Sequence, residues 1–456
     1  MNIVNCVFTI VILVVTLVVF ARAVNAEQAP PPPLFSGGDG EKRQYYVAPD
    51  GGDANDCGEK SKPCSLNTGL NRAQAGESVI LTDGTYAQQL ETRRSGKAGN
   101  HIVIRAEHNG KAKIEKNVGN IVHIKHDYIT IRGLWVSDKR SSPKGSGVIR
   151  IYRNGGNHHI IIEDCTIFQA GMVGFSVTGV KNKNHHIIFR NNFINGSGYN
   201  KNFSTGEAIY IGKFTNDAPG VENIMIYGNK VRDFTSNGVD VKVTATKVWI
   251  YNNEFYDQVP FAAHGVPDHF RDGTILIQGS EGYVFNNIIR DSDVQSQIIE
   301  ARASTNSKPN LIYNNIIYNC VNHKWAVSYK KSNDNMGAAT QVFNNTFFNL
   351  ASHKVETDDK LIVKNNIGLD LDNVPANLST SEFDKTYFQN SSAGNFALTS
   401  LAIKALNKAT NRPFSSTDFR DNQISGQNRD YGAFEHGSTT KEIPPPTALR
   451  MIKDDR

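Results

Sequence analysis

The stretch Tyr283-Val-Phe-Asn-Asn-Ile-Ile289 carries the pattern that decides the fold of this chain. A short run of β-branched and aromatic residues, which suits a strand, ends in two asparagines, and apolar residues resume directly afterwards. Further asparagine pairs that follow such runs begin at Asn191, Asn252, Asn314, Asn344 and Asn365. Asparagine tolerates the left-handed backbone of a tight turn, so each copy predicts a strand, a turn and a second strand.

The spacing of these pairs selects the architecture. It is uneven, since 34 residues separate Asn252 from Asn286 and only 21 separate Asn344 from Asn365. A β-propeller needs blades of nearly equal length, whereas stacked β-coils accept insertions between strands. We therefore predict an all-β chain folded as a single-stranded parallel β-helix, with asparagine side chains hydrogen-bonded from coil to coil. Helical spacing over residues 65–75 predicts a short helix that caps its N-terminal end.

The two ends of the chain differ from this repetitive middle. Residues 1–26 have the pattern of a secretory signal peptide, with an apolar run and small residues up to Ala23 or Ala26. The run has no preceding Lys or Arg and is nearly long enough to span a bilayer, so an uncleaved membrane anchor is the alternative. We expect a Pro/Gly-rich linker over 27–43, the β-helix domain over 44–436 and a disordered tail over 437–456.

The charge balance bears on the partners. Lys and Arg number 49 and Asp and Glu number 44, which gives a formal net charge of +5. This mild excess suits a polyanionic partner but lacks the dense basic patches of nucleic-acid-binding proteins. We therefore expect no nucleic acid partner. After cleavage of the signal we expect a secreted, extracellular monomer without stable membrane insertion.

The cysteines that remain after signal removal suit an oxidising compartment. Cys57 and Cys64 flank a short loop and are expected to form a disulfide. Cys165 and Cys320 each end an apolar run and are expected to stay separate buried thiols. Five sequons allow N-glycosylation: Asn195, Asn202, Asn344, Asn377 and Asn390. Among them Asn344 belongs to an asparagine pair, so we expect it to be buried in the coil stack.

The stretch Asn237-Gly-Val-Asp-Val-Lys-Val243 is the candidate centre of function. Alternation along a strand buries its valines and places Asp240 and Lys242 together on the outer face. Aligning the coils on their apolar residues gives a second such pair two coils on, Glu300 and Arg302. A single charged residue on the outer face usually has no function beyond its contact with solvent. A carboxylate followed by a base at matched positions in two strands instead indicates a functional stripe.

Other residues on this face are candidates for binding a polymer that lies across the strands. The outward positions of the neighbouring coils hold Arg150, Tyr152, Tyr210, Gln278 and Lys330. The longest excursion between coils, residues 257–271, carries His264, His269 and Arg271 beside the stripe. We interpret it first as a surface loop with incidental histidines. The second interpretation is the wall of a substrate groove, in which His269 and Arg271 contact the substrate.

Several stretches outside the stripe resemble a known superfamily. They are Tyr45-Tyr-Val-Ala-Pro-Asp-Gly51, Gly76-Glu-Ser-Val-Ile-Leu-Thr-Asp-Gly-Thr-Tyr86, Ser95-Gly-Lys-Ala-Gly-Asn-His-Ile-Val-Ile-Arg105 and Asp430-Tyr-Gly-Ala-Phe-Glu435. Together with the asparagine-pair coils they are similar to the pectate-lyase-like proteins, most of all in layout to the family 9 and family 6 polysaccharide lyases. The resemblance implies a right-handed parallel β-helix. It is less specific for activity, because the superfamily includes lyases, epimerases and proteins of unknown role.

The resemblance also implies roles for the stripe. In the related lyases a lysine, or a lysine with an arginine, works beside acidic residues that bind Ca²⁺. By position, Lys242 becomes the candidate base and Arg302 the residue that binds or assists at the substrate carboxylate. The candidate Ca²⁺ ligands are Glu207, Asp240, Asp272 and Glu300.

The function that follows is Ca²⁺-assisted β-elimination on an acidic polysaccharide such as pectate or alginate, by a secreted polysaccharide lyase. The reaction needs the uronate carboxylate neutralised and a base beside the C5 proton. A uronate C5-epimerase on the same scaffold and a non-catalytic glycan-binding surface protein are the alternatives. A glycoside hydrolase is less favoured, since its two carboxylates would leave Lys242 and Arg302 without a role.

Overall fold

The structure is a computed structural model that describes residues 34–436 apart from short internal segments. The segments left out are 142–146, 153–155, 180, 201, 203–205, 215–219, 266–272, 294–296, 303–307, 331–337, 357–359, 371–376, 410–416 and 421–427. The predicted signal peptide 1–26, the first part of the linker and the predicted tail 437–456 therefore lie outside the described residues. Within the described part of the chain, no helix combines the length and the apolar character that crossing a membrane requires.

The described chain contains 33 strands, numbered β1–β33 in chain order, of which 31 form three long parallel sheets. Sheet A consists of β4 (Leu90–Glu91), β7 (Val122–Ile124), β10 (Gly147–Ile151), β13 (Val173–Val177), β16 (Ile209–Ile211), β19 (Val239–Val241), β22 (Ile275–Ile277), β25 (Gln297–Arg302) and β28 (Trp325–Lys330). Sheet B consists of β1 (Gln44–Gly52), β2 (Ser78–Leu81), β5 (Ile102–Ala106), β8 (Ile129–Arg132), β11 (His158–Glu163), β14 (Asn184–Arg190), β17 (Val221–Tyr227), β20 (Ala245–Tyr251), β23 (Ser280–Phe285), β26 (Leu311–Tyr313), β29 (Thr340–Phe343) and β31 (Leu361–Lys364). Sheet C consists of β3 (Gly84–Tyr86), β6 (Ala112–Glu115), β9 (Trp135–Ser137), β12 (Thr166–Ala170), β15 (Phe193–Ser197), β18 (Lys230–Phe234), β21 (Glu254–Tyr256), β24 (Ile288–Arg290), β27 (Ile316–Tyr318) and β30 (Thr346–Phe348).

Each full coil contributes one strand to sheet A, then one to sheet B and one to sheet C. A strand therefore pairs with the strand three positions later in the chain, in parallel and in fixed register. In sheet A, for example, Ile209 lies opposite Val239, and Val239 lies opposite Ile275. These inward-facing residues are fully buried and form part of one core that runs the length of the stack. The prediction of a parallel β-helix is confirmed.

The N-terminal end of the stack is covered by helix α1 (Leu66–Arg72), as predicted. The Ser65 side chain caps it by accepting a hydrogen bond from the Thr68 amide, and Leu66 and Leu70 are buried beneath it. Cys57 and Cys64 are joined by the predicted disulfide, which closes the loop before the helix. The other two cysteines, Cys165 and Cys320, are buried free thiols, again as predicted.

The asparagine pairs form the turn from sheet B to sheet C. The first residue of each pair has a left-handed backbone, with φ of 54° at Asn286 and 53° at Asn314. The second residue is buried and bonds to its equivalents above and below. The Nδ2 atom of Asn253 donates to Oδ1 of Asn287 at 3.0 Å, and that of Asn287 donates to Oδ1 of Asn315 at 3.0 Å. The full ladder runs through Asn192, Asn229, Asn253, Asn287, Asn315, Asn345, Asn366 and Asn377.

Asn344 is buried at one of these turns, where its Nδ2 atom donates to the carbonyl of Asp430 at 3.1 Å. Its sequon is therefore enclosed in the folded protein, as expected. Asn202 and Asn390 are exposed sequon residues. The C-terminal part of the chain folds over the last coils through the antiparallel pair β32 (Phe388–Asn390) and β33 (Asn395–Leu398). Short 3₁₀ helices cover Phe261–His264, Lys385–Tyr387 and Ser391–Ala393.

The ladder generates a first prediction. Asn287→Asp keeps the shape of the side chain but replaces the donor that serves Asn315 Oδ1 and the carbonyls of Ile250 and Phe285. We expect the free energy of unfolding to fall by at least about 3 kcal/mol, because several buried groups lose a partner and a carboxylate is buried. Denaturant unfolding followed by circular dichroism measures this.

The matched control is Asn349→Asp. Asn349 also donates its side-chain amide to an asparagine in the next coil, Asn319, but it is exposed to solvent. Its substitution should change stability by less than about 0.5 kcal/mol. Equal effects of the two substitutions would contradict a stabilising role for the buried ladder.

Four histidines stack on the outside of sheet B where its strands begin. The rings of His158 and His185 lie 5.0 Å apart, and those of His159 and His186 lie 4.9 Å apart. Burial, reinforced by repulsion between neighbouring imidazoles, lowers the pKa of His159 from 6.5 to about 4. The pKa values of His185 and His186 are also lowered, chiefly by burial. The folded protein therefore disfavours protonation of His159, His185 and His186.

This stack makes stability depend on pH in a defined window. The unfolded chain takes up a proton at His159 near pH 6.5, but the folded chain does so only near pH 4. The contribution of neutral His159 to the free energy of unfolding is fully present above about pH 6.5 and is lost as the pH falls towards 4. His159→Asn, which tolerates the left-handed φ of 54°, should flatten the fall of melting temperature across this window. The exposed His108→Asn substitution, outside the stack, is the control, and an equal flattening there would contradict the assignment.

Candidate active site

The outer face of sheet A carries the predicted stripe as one continuous row. Strand register places eight residues opposite one another along it: His123, Arg150, Ser176, Tyr210, Asp240, Leu276, Glu300 and Ser328. Neighbouring strands in a sheet lie about 4.8 Å apart, so Asp240 lies within one strand spacing of Tyr210 and two of Glu300. The parallel pairing fixes this row because β-coils leave no freedom to slip by one residue without turning the core outward.

Asp240 and Lys242 form a buried ion pair at the centre of the row. The Lys242 Nζ atom lies 2.5 Å from Oδ2 of Asp240, and the two side chains are only 12% and 1% exposed. Burial acts to lower the pKa of Lys242, but attraction by Asp240 and then Glu207 outweighs it, so that pKa is raised above its ordinary value. The lysine is therefore a firmly protonated ammonium in the ligand-free protein.

Glu207 and Tyr210 complete the surroundings of this ammonium. Glu207 is buried just before β16, the strand next to β19, and Tyr210 lies directly opposite Asp240. The Lys242 Nζ atom lies 5.3 Å from the centre of the Tyr210 ring. Burial raises the pKa of Tyr210 to about 12, with Lys242 opposing and Asp240 and Glu207 reinforcing the shift. Its hydroxyl thus keeps its proton at neutral pH.

Glu300 and Arg302 lie at the same positions two strands further on. The Glu300 side chain is fully buried, accepts a hydrogen bond from Gln297 and lies 3.5 Å from Nε of Arg302. In the intervening strand, Leu276 lies between Glu300 and Asp240 in the register. The structure therefore brings Glu207, Asp240 and Lys242 into one electrostatic group, and places Glu300 with Arg302 in a second.

Arg150 and Tyr152 lie on the other side of the central group. The Arg150 guanidinium stacks 4.2 Å from the centre of the Tyr152 ring, and burial lowers its pKa. Its Nε atom has no hydrogen-bond partner among the described residues, and the same holds for Oε1 of the buried Gln278.

Several predicted site residues cannot be placed. His269, Arg271 and Asp272 lie outside the described residues, in segment 266–272. Lys330 pairs in register with Arg302, but only its backbone is described. In the described part of the chain no three carboxylate, histidine or cysteine side chains form a cluster able to hold a metal ion. Ca²⁺ takes six to eight oxygen ligands, so Glu207 and Asp240 supply only part of a site.

Two features of this region were not predicted. Phe214, directly after the Tyr210 strand, exposes 61% of its surface, and its ring centre lies 5.9 Å from the Lys242 Nζ atom. The interpretation of His264 as an incidental surface histidine is wrong. Its side chain is 4% exposed and its Nε2 atom lies 2.8 Å from Oδ1 of Asp233. Asp233 precedes His264 by 31 residues, and no local motif connects them.

Comparison with solved structures defines the class of scaffold. Pectate lyase Pel9A superimposes with a TM-score of 0.60 at 17% identity, over 88% of this chain and 98% of that chain. An alginate lyase from Paenibacillus gives 0.51 at 16% identity, over 70% and 99%. A GH136 lacto-N-biosidase from Eubacterium ramulus gives 0.50 at 17% identity, over 70% and 68%. At such identities the likeness shows the fold alone: the chain forms a right-handed parallel β-helix like that of these proteins, as predicted.

Comparison of sequences finds similarity over only part of the chain. No protein-family model matches the chain. It is 35% identical over 136 residues to the uncharacterized protein YwoF of Bacillus subtilis, covering 28% of this chain and 29% of that protein. It is 27% identical over 173 residues to pectate lyase L of Dickeya chrysanthemi, covering 35% of each. The chain thus spans well under two thirds of both curated relatives.

The ion pair generates a prediction about Lys242. Asp240→Asn removes the nearest negative charge, so the pKa of Lys242 should fall relative to the wild type. A pH titration of the lysine side-chain carbon signals by NMR measures the change. Lys247 serves as the internal control. It lies on sheet B, where a hydrogen bond to Glu222 raises its pKa, and this pKa should not change in the variant. An unchanged Lys242 titration would contradict the electrostatic coupling.

Proposed function

We propose that this protein is a secreted polysaccharide lyase that cleaves an acidic polysaccharide, such as pectate or alginate, by Ca²⁺-assisted β-elimination. The observation that supports it best is the buried Lys242 ammonium between Asp240 and Glu207, at the centre of the outer face of a β-helix. Two solved structures with the same fold, a pectate lyase and an alginate lyase, are consistent with this reaction.

The groups around Lys242 match what β-elimination on a uronate requires. A Ca²⁺ held by Glu207 and Asp240, with Asp272 as the proposed third ligand, would neutralise the substrate carboxylate and increase the acidity of the C5 proton. If Glu207 and Asp240 held such an ion, the attraction that raises the pKa of Lys242 would weaken, whereas burial would still disfavour its charge. Lys242 would then be the amine placed to take the C5 proton.

The remaining residues of the face suit a polymer lying across the strands of sheet A. Arg302 would bind the carboxylate of a sugar two strands from Lys242, with Glu300 holding its guanidinium in place. On the other side Arg150 and Tyr152 offer a cation and an aromatic ring. Gln278 and Lys330 lie in the same column as Lys242 and Arg302, and His269 and Arg271 would line the edge.

Uronate C5-epimerisation is the second candidate. An epimerase abstracts the same proton but returns one to the opposite face of the sugar, so it needs a protonated group across the sugar from the base. Tyr210, with its pKa raised to about 12 and its ring centre 5.3 Å from the Lys242 Nζ atom, is the nearby protonated side chain that could take this role. Incorporation of solvent deuterium at C5 without chain cleavage would identify this activity.

The lyase proposal is tested with pectate, alginate and glycosaminoglycan chains. Cleavage by elimination produces an unsaturated uronide that absorbs ultraviolet light, whereas hydrolysis yields new reducing ends without that absorbance. We expect unsaturated product from at least one polymer, loss of activity with a chelator and its return with Ca²⁺. Lys242→Ala should lower kcat by about 100- to 10,000-fold, the range for loss of a proton-transfer group.

Lys247→Ala is the matched control, since Lys247 also pairs with a carboxylate but lies on sheet B. It should leave activity unchanged. Turnover that survives the chelator would remove Ca²⁺ from the mechanism. The absence of unsaturated product, of reducing ends and of deuterium incorporation would leave only a non-catalytic glycan-binding role.

A further inference from the structure

The outer face of sheet B carries a continuous apolar row. Strand register places six of its residues opposite one another: Ile161, Ile188, Met225, Trp249, Tyr283 and Leu311. They belong to a cluster that is separate from the core inside the coils, and each is 5% exposed or less. Proteins rarely leave contiguous apolar patches larger than a few hundred Å² in water, so a row of this length needs a cover.

A second row of rings runs beside this apolar row, two residues further along the strands. Tyr227, Tyr251 and Phe285 stack with ring centres 4.8 Å and 4.9 Å apart. In the apolar row itself the rings of Trp249 and Tyr283 stack at 5.4 Å. Residues two apart on one strand point to the same side and lie about 7 Å apart, so the two rows of rings run in parallel across the strands. An extended chain can lie along such a surface.

The chain before β1 already lies against this sheet. The carbonyl of Gly40 accepts a hydrogen bond from the Ser78 hydroxyl of β2 at 2.8 Å. Five residues earlier, the Phe35 ring lies 5.0 Å from the ring of His159 in β11 and packs against the cluster that contains the apolar row. Read backwards from Gly40, the chain thus moves from the first coils towards later ones and reaches the apolar row at the strand that holds Ile161.

The residues shortly before Phe35 have the composition and the length to continue along this row. Residues 27–33 lie outside the described chain, and four of the seven are prolines, Pro30 to Pro33. A proline-rich chain in the polyproline II conformation rises about 3.1 Å per residue, so seven residues extend about 22 Å. From β11 to β23 there are four strand spacings of about 4.8 Å, or about 19 Å. The segment is therefore long enough to reach Trp249 and Tyr283.

We propose that residues 27–33 bind along the two rows of rings and cover the apolar row. Proline-rich segments in the polyproline II conformation are recognised by aromatic surfaces, because proline packs its ring against them and its fixed φ lowers the entropy lost on ordering. The segment that the sequence suggests as a linker is then part of the folded domain. This assigns the outer face of sheet B to the chain itself and not to a polysaccharide, and the inference does not depend on the lyase function.

The test measures the access of water to Trp249 in the full chain labelled with fluorotryptophan. The chain has three tryptophans, and the change of each fluorine NMR signal between H₂O and D₂O reports the exposure of that ring. In the wild type we expect a smaller change for Trp249 than for Trp135 and Trp325, which are partly exposed. A variant in which all four prolines are replaced, Pro30→Ser to Pro33→Ser, should raise the change at Trp249 to the level of the other two.

A second proline run provides the matched control. Pro444 to Pro446 lie in the predicted tail, outside the described residues. Their replacement, Pro444→Ser to Pro446→Ser, should leave the Trp249 signal as in the wild type. Trp135 on sheet C and Trp325 on sheet A are the internal controls for an intact fold and should not change in either variant. A rise at Trp249 in the tail variant alone would assign the cover to the tail and overturn the proposal.

A spin label locates the segment directly. In a Cys6→Ser background the label attaches at Pro31→Cys, because the two free thiols of the described chain are buried. It should broaden the fluorine signal of Trp249 and leave that of Trp135 sharp. A Trp249 signal that stays sharp, or that keeps its protection from water in the four-proline variant, would overturn the proposal. Protection that disappears on dilution would assign the cover to a second copy of the chain and would also overturn it.

Discussion

The structure depends on the hydrogen bonding of one coil to the next. In a parallel β-helix every backbone group of a coil pairs with the coil above or below, and the sharp turns are the places where this pairing would fail. The asparagine ladder meets this need between sheets B and C, since each buried amide bonds to the amides of both neighbouring coils and to backbone carbonyls such as Ile250. The first asparagine of each pair has a left-handed backbone, which makes the turn tight enough for the coils to stack.

This constraint also determines what the outer face can do. Because the coils are locked in register, residues far apart in sequence, such as Tyr210 and Asp240, lie opposite each other on a rigid surface. The connections between strands are free to vary in length, and they bring in groups that the strands lack. Glu207 before β16 and His264 after β21 are of this kind. The row of strand residues and the contact between Asp233 and His264 are thus two products of the same stacking.

The sequence is informative where a position repeats and silent where it does not. The asparagine pairs and the alternation of valines around Asp240 predicted the coils, the outer face and the Asp240–Lys242 pair, because both follow from a local period. The partnership of His264 with Asp233 depends on how two connections of different length fold back, and no spacing in the chain encodes it. The raised pKa of Lys242 depends first on Asp240 and then on Glu207, which alignment of the coils had already named as a candidate ligand beside Asp240.

The buried ion pair itself argues that this face is more than a structural surface. Removing two charges from water costs more than their attraction commonly returns, and apolar residues of similar volume are often at least as stabilising. The next strand shows that the fold accepts such a residue at the matching place, since Leu276 lies opposite Asp240 and is fully buried. A charged pair is therefore not required by the coils at this position. The charged pair lies beside Glu207 and within a row of polar side chains. Its presence is better explained by the binding of a charged ligand.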